Sequence, residues 1–237
     1  MIFRFTLIIM LLSIDSCCHA QNQPTGYDVQ INLNEILLGS SDYIRTFSSG
    51  YEGVKGTPNI FEDFHKGNLY FNNKTSISNI MINYDCYHDN VLYSNGSKIL
   101  IINSQNIDFF TIRSIDEEKF LLFKQVFLES EKRRIFLQVI YDKQSILYKR
   151  YKKEFLKADY TGPYNANRRY DEYIDEQEYY IKLSEGEIQQ IKSRQKFIKE
   201  IFWNNSAMVE KFIKDEDINL KEEDDLIRLI NFYDNLE

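Results

Sequence analysis

Cys86 and His88 stand two residues apart in the stretch Tyr-Asp-Cys-Tyr-His-Asp, a spacing that puts both side chains on one face of an extended strand. A thiolate with a neighbouring imidazole suits metal binding or nucleophilic attack. Zinc, however, needs three or four ligands, and His65 is the only other histidine outside the first twenty residues. Cys86 also continues an apolar alternation through Ile80, Ile82 and Tyr84, so it is expected in the core, with His88 at an edge. A second stretch begins like a calcium loop, with Asp215, Asp217 and Asn219 at alternate positions. Leu220 then stands where the sharp turn needs Gly, and Leu226 where the bidentate Glu belongs. An acidic first helical turn accounts for Glu222 to Asp225 more simply. No Walker loop, dinucleotide fingerprint, nucleophile elbow or zinc-protease helix occurs. Catalytic and metal-ligating residues are therefore expected to be none, and no cofactor is expected.

Charge is unevenly spread. Between Lys124 and Lys157 ten Lys or Arg face four Asp or Glu, whereas from Asn205 to Glu237 the balance is four against ten. The candidate contacts for an anionic partner, such as lipid headgroups or a polysaccharide, are Lys149, Arg150, Lys152 and Lys153. The alternative is two solvated faces that attract each other. A net charge of -7 makes nucleic acid an unexpected partner.

The elements that must position these residues separate by hydrophobic period. From Gly67 to about Leu156, short runs rich in β-branched and aromatic residues alternate with polar turns, as antiparallel hairpins require. Val91 to Ser94 and Ser97 to Asn103 flank Asn95-Gly96, the favoured pair for a two-residue turn. A polar, Tyr-rich excursion over about 157–175 contains Pro163 and precedes a last strand, Glu-Gln-Glu-Tyr-Tyr-Ile-Lys-Leu. After Gly186 the period becomes helical. Phe197, Ile198, Ile201 and Phe202 share one face, Val209, Phe212 and Ile213 a second, and Leu226, Leu229, Ile230 and Tyr233 a third. Asn204 or Asn205 is placed to cap the second helix. The expected fold is α+β and mainly β: an antiparallel meander, curved sheet or sandwich over 21–183, followed by a helical C-terminal module over 187–237.

The start of the chain is an address. The uncharged run from Phe5 to Ile14 follows Arg4 and stops at Asp15, well short of the ~20 apolar residues of a membrane span. With a small-residue cleavage site at Cys18-His19-Ala20, residues 1–20 read as a signal peptide and Gln21 as the first mature residue. Lipidation at Cys17 or Cys18 is the alternative, weakened by Asp15 in the would-be lipobox. Cleavage leaves Cys86 as the only thiol, so core packing rather than a disulfide must supply stability. No later segment is apolar enough to span a membrane.

Tyr51-Glu52-Gly53, Gly56-Thr57-Pro58, Lys66-Gly67 and Tyr84-Asp85, with the tail from Glu222 to Glu237, resemble a group of uncharacterised exported proteins of Bacteroidota, over roughly Leu37 to Leu236. The resemblance implies a periplasmic, envelope or secreted location and the same strand-then-helix order. It implies no activity. The expected function is non-catalytic binding of an unidentified envelope protein or ligand. The alternative is carriage of an apolar, lipid-like ligand inside a curved sheet, and an enzyme comes third.

Overall fold

The computed structural model describes residues 29–30, 44–46, 54–115, 119–158, 170–184, 186–192 and 195–236. The expected signal peptide, with Cys17 and Cys18, and the centre of the Tyr-rich excursion around Pro163 lie outside the described residues. The fold is α+β and mainly β. Twelve strands form one sheet: β1 (Val29–Gln30), β2 (Ile44–Thr46), β3 (His65–Phe71), β4 (Thr75–Asp85), β5 (Asn90–Ser94), β6 (Ile99–Ile102), β7 (Ile107–Arg113), β8 (Phe120–Leu128), β9 (Arg133–Asp142), β10 (Ile146–Leu156), β11 (Glu172–Lys182) and β12 (Gln189–Gln190). Three helices follow: α1 (Gln195–Ile201), α2 (Ser206–Asp215) and α3 (Glu223–Asp234). None is long and apolar enough to cross a membrane among the described residues.

The strand order is β12-β11-β10-β9-β8-β7-β3-β4-β5-β6-β2, with β1 running parallel to the start of β4. Two meanders therefore join at β3, which pairs with both β4 and β7. The sheet bends within β4. Asn79 adopts a positive φ of 61° opposite a register shift between Gly67 and Leu69, and its N–H donates to the Asn68 side chain at 2.9 Å. An extra residue on one strand bends it and increases its twist, so the sheet curls and its concave side packs on itself. Phe110 and Phe123 stack at 4.7 Å there, and Tyr84 and Phe136 lie tilted or edge-on against them. These rings are buried and fill the interior.

A strap over residues 54–60 joins the two ends of the curl. The Lys55 N–H donates to Asp171 O and the Tyr173 N–H to Lys55 O, which ties the strap to β11. The Ile60 N–H donates to Tyr84 O and the Cys86 N–H to Pro58 O, which ties it to the end of β4. Gly56 takes a φ of 76° where the strap passes Tyr173.

Several expectations shift by a few residues. The β5–β6 hairpin exists, but its central residues are Gly96 and Ser97, because the Asn95 side chain accepts the N–H groups of Ser97 and Lys98 and so serves as the first residue of the turn. The last long strand begins at Glu172 rather than Glu176, held by an eleven-pair ladder with β10. Asn205 does precede α2, but its side chain makes no capping bond; its backbone carbonyl accepts from Met208 and Val209 instead.

The helices pack on the sheet and share one core with it, in which Phe197, Ile201, Leu226 and Ile230 meet Tyr141, Leu147, Tyr179 and Ile181. Asp234 fastens α3 to the β9–β10 hairpin, accepting from the Tyr141 hydroxyl at 2.9 Å and the Ser145 N–H at 3.1 Å. Burial and that carboxylate push the Tyr141 phenol from 10.0 up to about 12.

Two measurements probe this architecture. A Cβ at Gly67 would stand 2.5 Å from Thr111 O and collide with the Ile82 side chain, so Gly67→Ala is expected to cost about 2 kcal/mol in denaturant unfolding. Because Tyr141 holds its proton more tightly folded than unfolded, its contribution is complete below pH 10 and is lost as pH rises through about 12. Near-ultraviolet circular dichroism should show the Tyr141→Phe variant losing less stability than the parent across that interval.

Candidate functional site

The site is built where two strands part. The β9–β10 ladder covers only four residue pairs and ends at Gln138↔Lys149, while β10 continues with β11 alone. The backbone of Phe136 is thereby left without a β10 partner. The β4–β5 turn supplies one: the Asp89 carboxylate accepts the Phe136 N–H at 3.2 Å, and the Tyr84 hydroxyl reaches Phe136 O at 3.4 Å. Tyr84 also donates to Asp89 at 2.6 Å, and Arg133 closes an ion pair with it at 3.1 Å. Burial pushes the Asp89 carboxyl up, although the Tyr84, Phe136 and Arg133 contacts pull it down; burial and the neighbouring Asp89 carboxylate hold Tyr84 well above its ordinary range.

The turn itself is organised by Asp85, which is 1% exposed. Its Oδ1 accepts the N–H groups of Tyr87 and His88, both at 3.0 Å, and its Oδ2 lies 2.8 Å from His88 Nδ1. This corrects the expectation that Cys86 and His88 share a strand face. β4 ends at Asp85 because that side chain bonds its own following backbone in place of a ladder partner, a habit of Asp in turns. Cys86 is buried at 8% exposure, as its apolar alternation implies, and burial pushes its thiol well up. His88 points outward, and in the neutral tautomer that donates Nδ1–H to Asp85 its Nε2 is an acceptor.

That nitrogen borders a cleft of about 720 Å³ at the mouth of the curled sheet. The lining comes from five places in the chain: Asn72 of the β3–β4 turn, His88 to Asn90, Ser104 and Gln105 ahead of β7, Gln125 of β8, and Arg133 and Arg134 of β9. Asn72 is fixed by a 2.7 Å bond from its amide to Gln105 O, and Gln125 by a 3.0 Å bond to Ser104 O. Arg133 is committed to Asp89 and Glu131, whereas Arg134, next along the strand, has no carboxylate partner among the described residues.

The expected anion contacts lie together on β10, and strand alternation divides them. Lys149 and Lys153 lie on the side of Tyr151, which packs against the core, and Arg150 and Lys152 on the other. Each has a carboxylate partner. Lys149 meets Glu223 of α3 at 2.8 Å; Arg150 meets Glu131 and Glu178; Lys152 meets Glu176 at 2.9 Å; Lys153 meets Asp175. Only Lys149 is thus served by the acidic tail, and the others by acidic residues of β11 and the β8–β9 turn. In the calcium-like stretch, Asp215 pairs with Lys211, while Glu216 and Asp225 share Arg228, so these carboxylates are taken up by cationic side chains.

Residue patterns missed the cleft because its members are scattered from 72 to 134 and none forms a motif. The Asp-x-x-His spacing of Asp85 and His88 was the available signal, since a side chain that caps its own turn also reaches the residue three ahead.

Asp89 is the test of this arrangement. Asp89→Ala leaves the Phe136 N–H buried without a partner and the Tyr84 hydroxyl with only its 3.4 Å contact to Phe136 O, with an expected loss of about 2–4 kcal/mol. Asp89→Asn keeps an acceptor and should lose less. Cys86, protected in the parent, should react with thiol reagents in the Ala variant before global unfolding.

No family model, curated protein or solved structure matches the chain.

Proposed function

We propose that the chain is an exported, non-catalytic binding protein of the envelope or the secreted space, and that its ligand sits in the polar cleft. The observation that carries this reading is the lining: all nine side chains around the 720 Å³ space are polar. The volume falls within the roughly 300–1,000 Å³ range of small-ligand sites. Most of its charged and amide groups are already spent on holding one another or the backbone, as a rigid recognition surface requires. Export rests on the signal pattern of residues 1–20 and on the resemblance to exported Bacteroidota proteins.

Carriage of an apolar ligand is the second reading. The stacked rings that fill the curled sheet weigh against a site there, so such a ligand would use the groove beside α1 and α2, where Ile198, Ile213, Ile218 and Leu220 lie among charged side chains.

Protein recovered after export from its own host should begin at Gln21 and carry no acyl chain in its intact mass; an acylated Cys17 or Cys18 would move it to a membrane surface. In amide-resolved NMR against a panel of sugars, amino acids and fatty acids, binding should shift resonances at Asn72, His88 to Asn90, Ser104 and Arg134. Shifts confined to α1 and α2, produced by the fatty acids, would replace the cleft reading with the carrier.

A further inference from the structure

We propose that the cleft recognises a hydroxylated carboxylate, of which a uronic-acid sugar is the representative chemistry, with Arg134 receiving the carboxylate and Nε2 of His88 accepting a ligand hydroxyl. The inference rests on the reading of the cleft as the ligand site, and names what that site selects.

Three features define the ligand. Two guanidiniums border the cleft, and they differ. Arg133 is neutralised by Asp89 at 3.1 Å and by Glu131, while Arg134 is exposed and has no carboxylate partner among the described residues. The cleft thus offers one planar cation in a fork geometry that pairs two-pronged with a carboxylate. The nearby negative charges are already occupied: Asp89 by Arg133, Tyr84 and Phe136, and Asp85 by His88 and two backbone N–H groups. They leave room for a single added anion and disfavour a polyanion.

The second feature is the hydrogen-bonding rim. The Asp85 contact fixes the His88 ring, and in the neutral tautomer that donates Nδ1–H to Asp85 it leaves Nε2 as an acceptor. The carboxamides of Asn90 and Gln105 border the same space and have no partner among the described residues, so each presents donors and an acceptor. Hydroxyl groups, which both donate and accept, match that mixture. The third feature lies outside the lining itself: Phe127 pairs directly across from Arg134 on β8 and is 47% exposed. Cross-strand partners lie about 5 Å apart, so an apolar ring stands beside the guanidinium. A sugar ring carries an apolar C–H face along with its hydroxyls and carboxylate, and only such a ligand uses all three features.

The test uses the full mature chain, with galacturonate, which carries one carboxylate, and its methyl ester as probes. The ester keeps every hydroxyl and removes only the charge. Galacturonate is expected to bind in calorimetry and to shift the amide resonances of His88, Asn90 and Arg134. Methyl esterification and Arg134→Gln should each weaken binding at least tenfold, and together should cost little more than either alone, because both remove one interaction. Arg134→Lys should retain part of the affinity, which guards against a folding defect. Equal binding of acid and ester, with the same amides shifting, would overturn the carboxylate assignment and leave the cleft as a site for neutral polyols. If neither probe shifts those amides, the sugar-acid class is wrong, whereas the cleft itself is judged by the wider ligand panel.

Discussion

The β9–β10 ladder ends at Gln138↔Lys149, and the free backbone edge this creates at Phe136 constrains the rest of the molecule. An unpaired N–H and C=O next to a packed aromatic interior must be satisfied or they cost free energy comparable to a lost hydrogen bond. Asp89 and Tyr84 satisfy them from across the curl. To reach Phe136, the β4–β5 turn must fold back over the sheet, which requires the bend at Asn79, the absence of a side chain at Gly67 and the strap that ties β4 to β11. The cleft is the outer face of the same turn. Its geometry is thereby set by the groups that close the fold.

Charge follows the same economy of position. The basic stretch of β10 is compensated locally, mostly by the strand beside it and by Glu131, with Lys149 alone reaching the acidic tail. The exposed Lys152–Glu176 pair among them contributes little to stability. Arg150 differs, because its half-buried guanidinium is held by both Glu131 and Glu178, and those partners raise its pKa against the effect of burial. The helices dock through Tyr141, Ser145 and Asp234 and through an apolar core common to sheet and helices, so charge attraction is secondary in holding them there.

Three short stretches of the chain fall on positions that build the curl. Gly56-Thr57-Pro58 is the strap, Gly67 is the close approach between β4 and β7, and Tyr84-Asp85 is the end of β4 with its turn. The cleft residues Arg134, His88 and Gln105 are not among them.

The sequence by itself determined the local elements. Alternating Ile, Leu, Phe and Tyr specified β3 to β11, and the change to a 3.6-residue period after Gly186 specified the helices, because one-sided burial imposes those periods wherever a segment lies. It also determined that Cys86 is a core residue, through its register with Ile80, Ile82 and Tyr84. Tertiary structure alone decided the rest. The order of strands, with β7 returning to β3, depends on which edges meet, and periodicity carries no information about edges. The short pairings of β1, β2 and β12 depend on neighbours rather than on their own two or three residues. Whether a lysine on β10 is free or paired depends on the acidic residues that the fold sets opposite it, and the cleft exists only because turns up to sixty residues apart in sequence converge at one mouth.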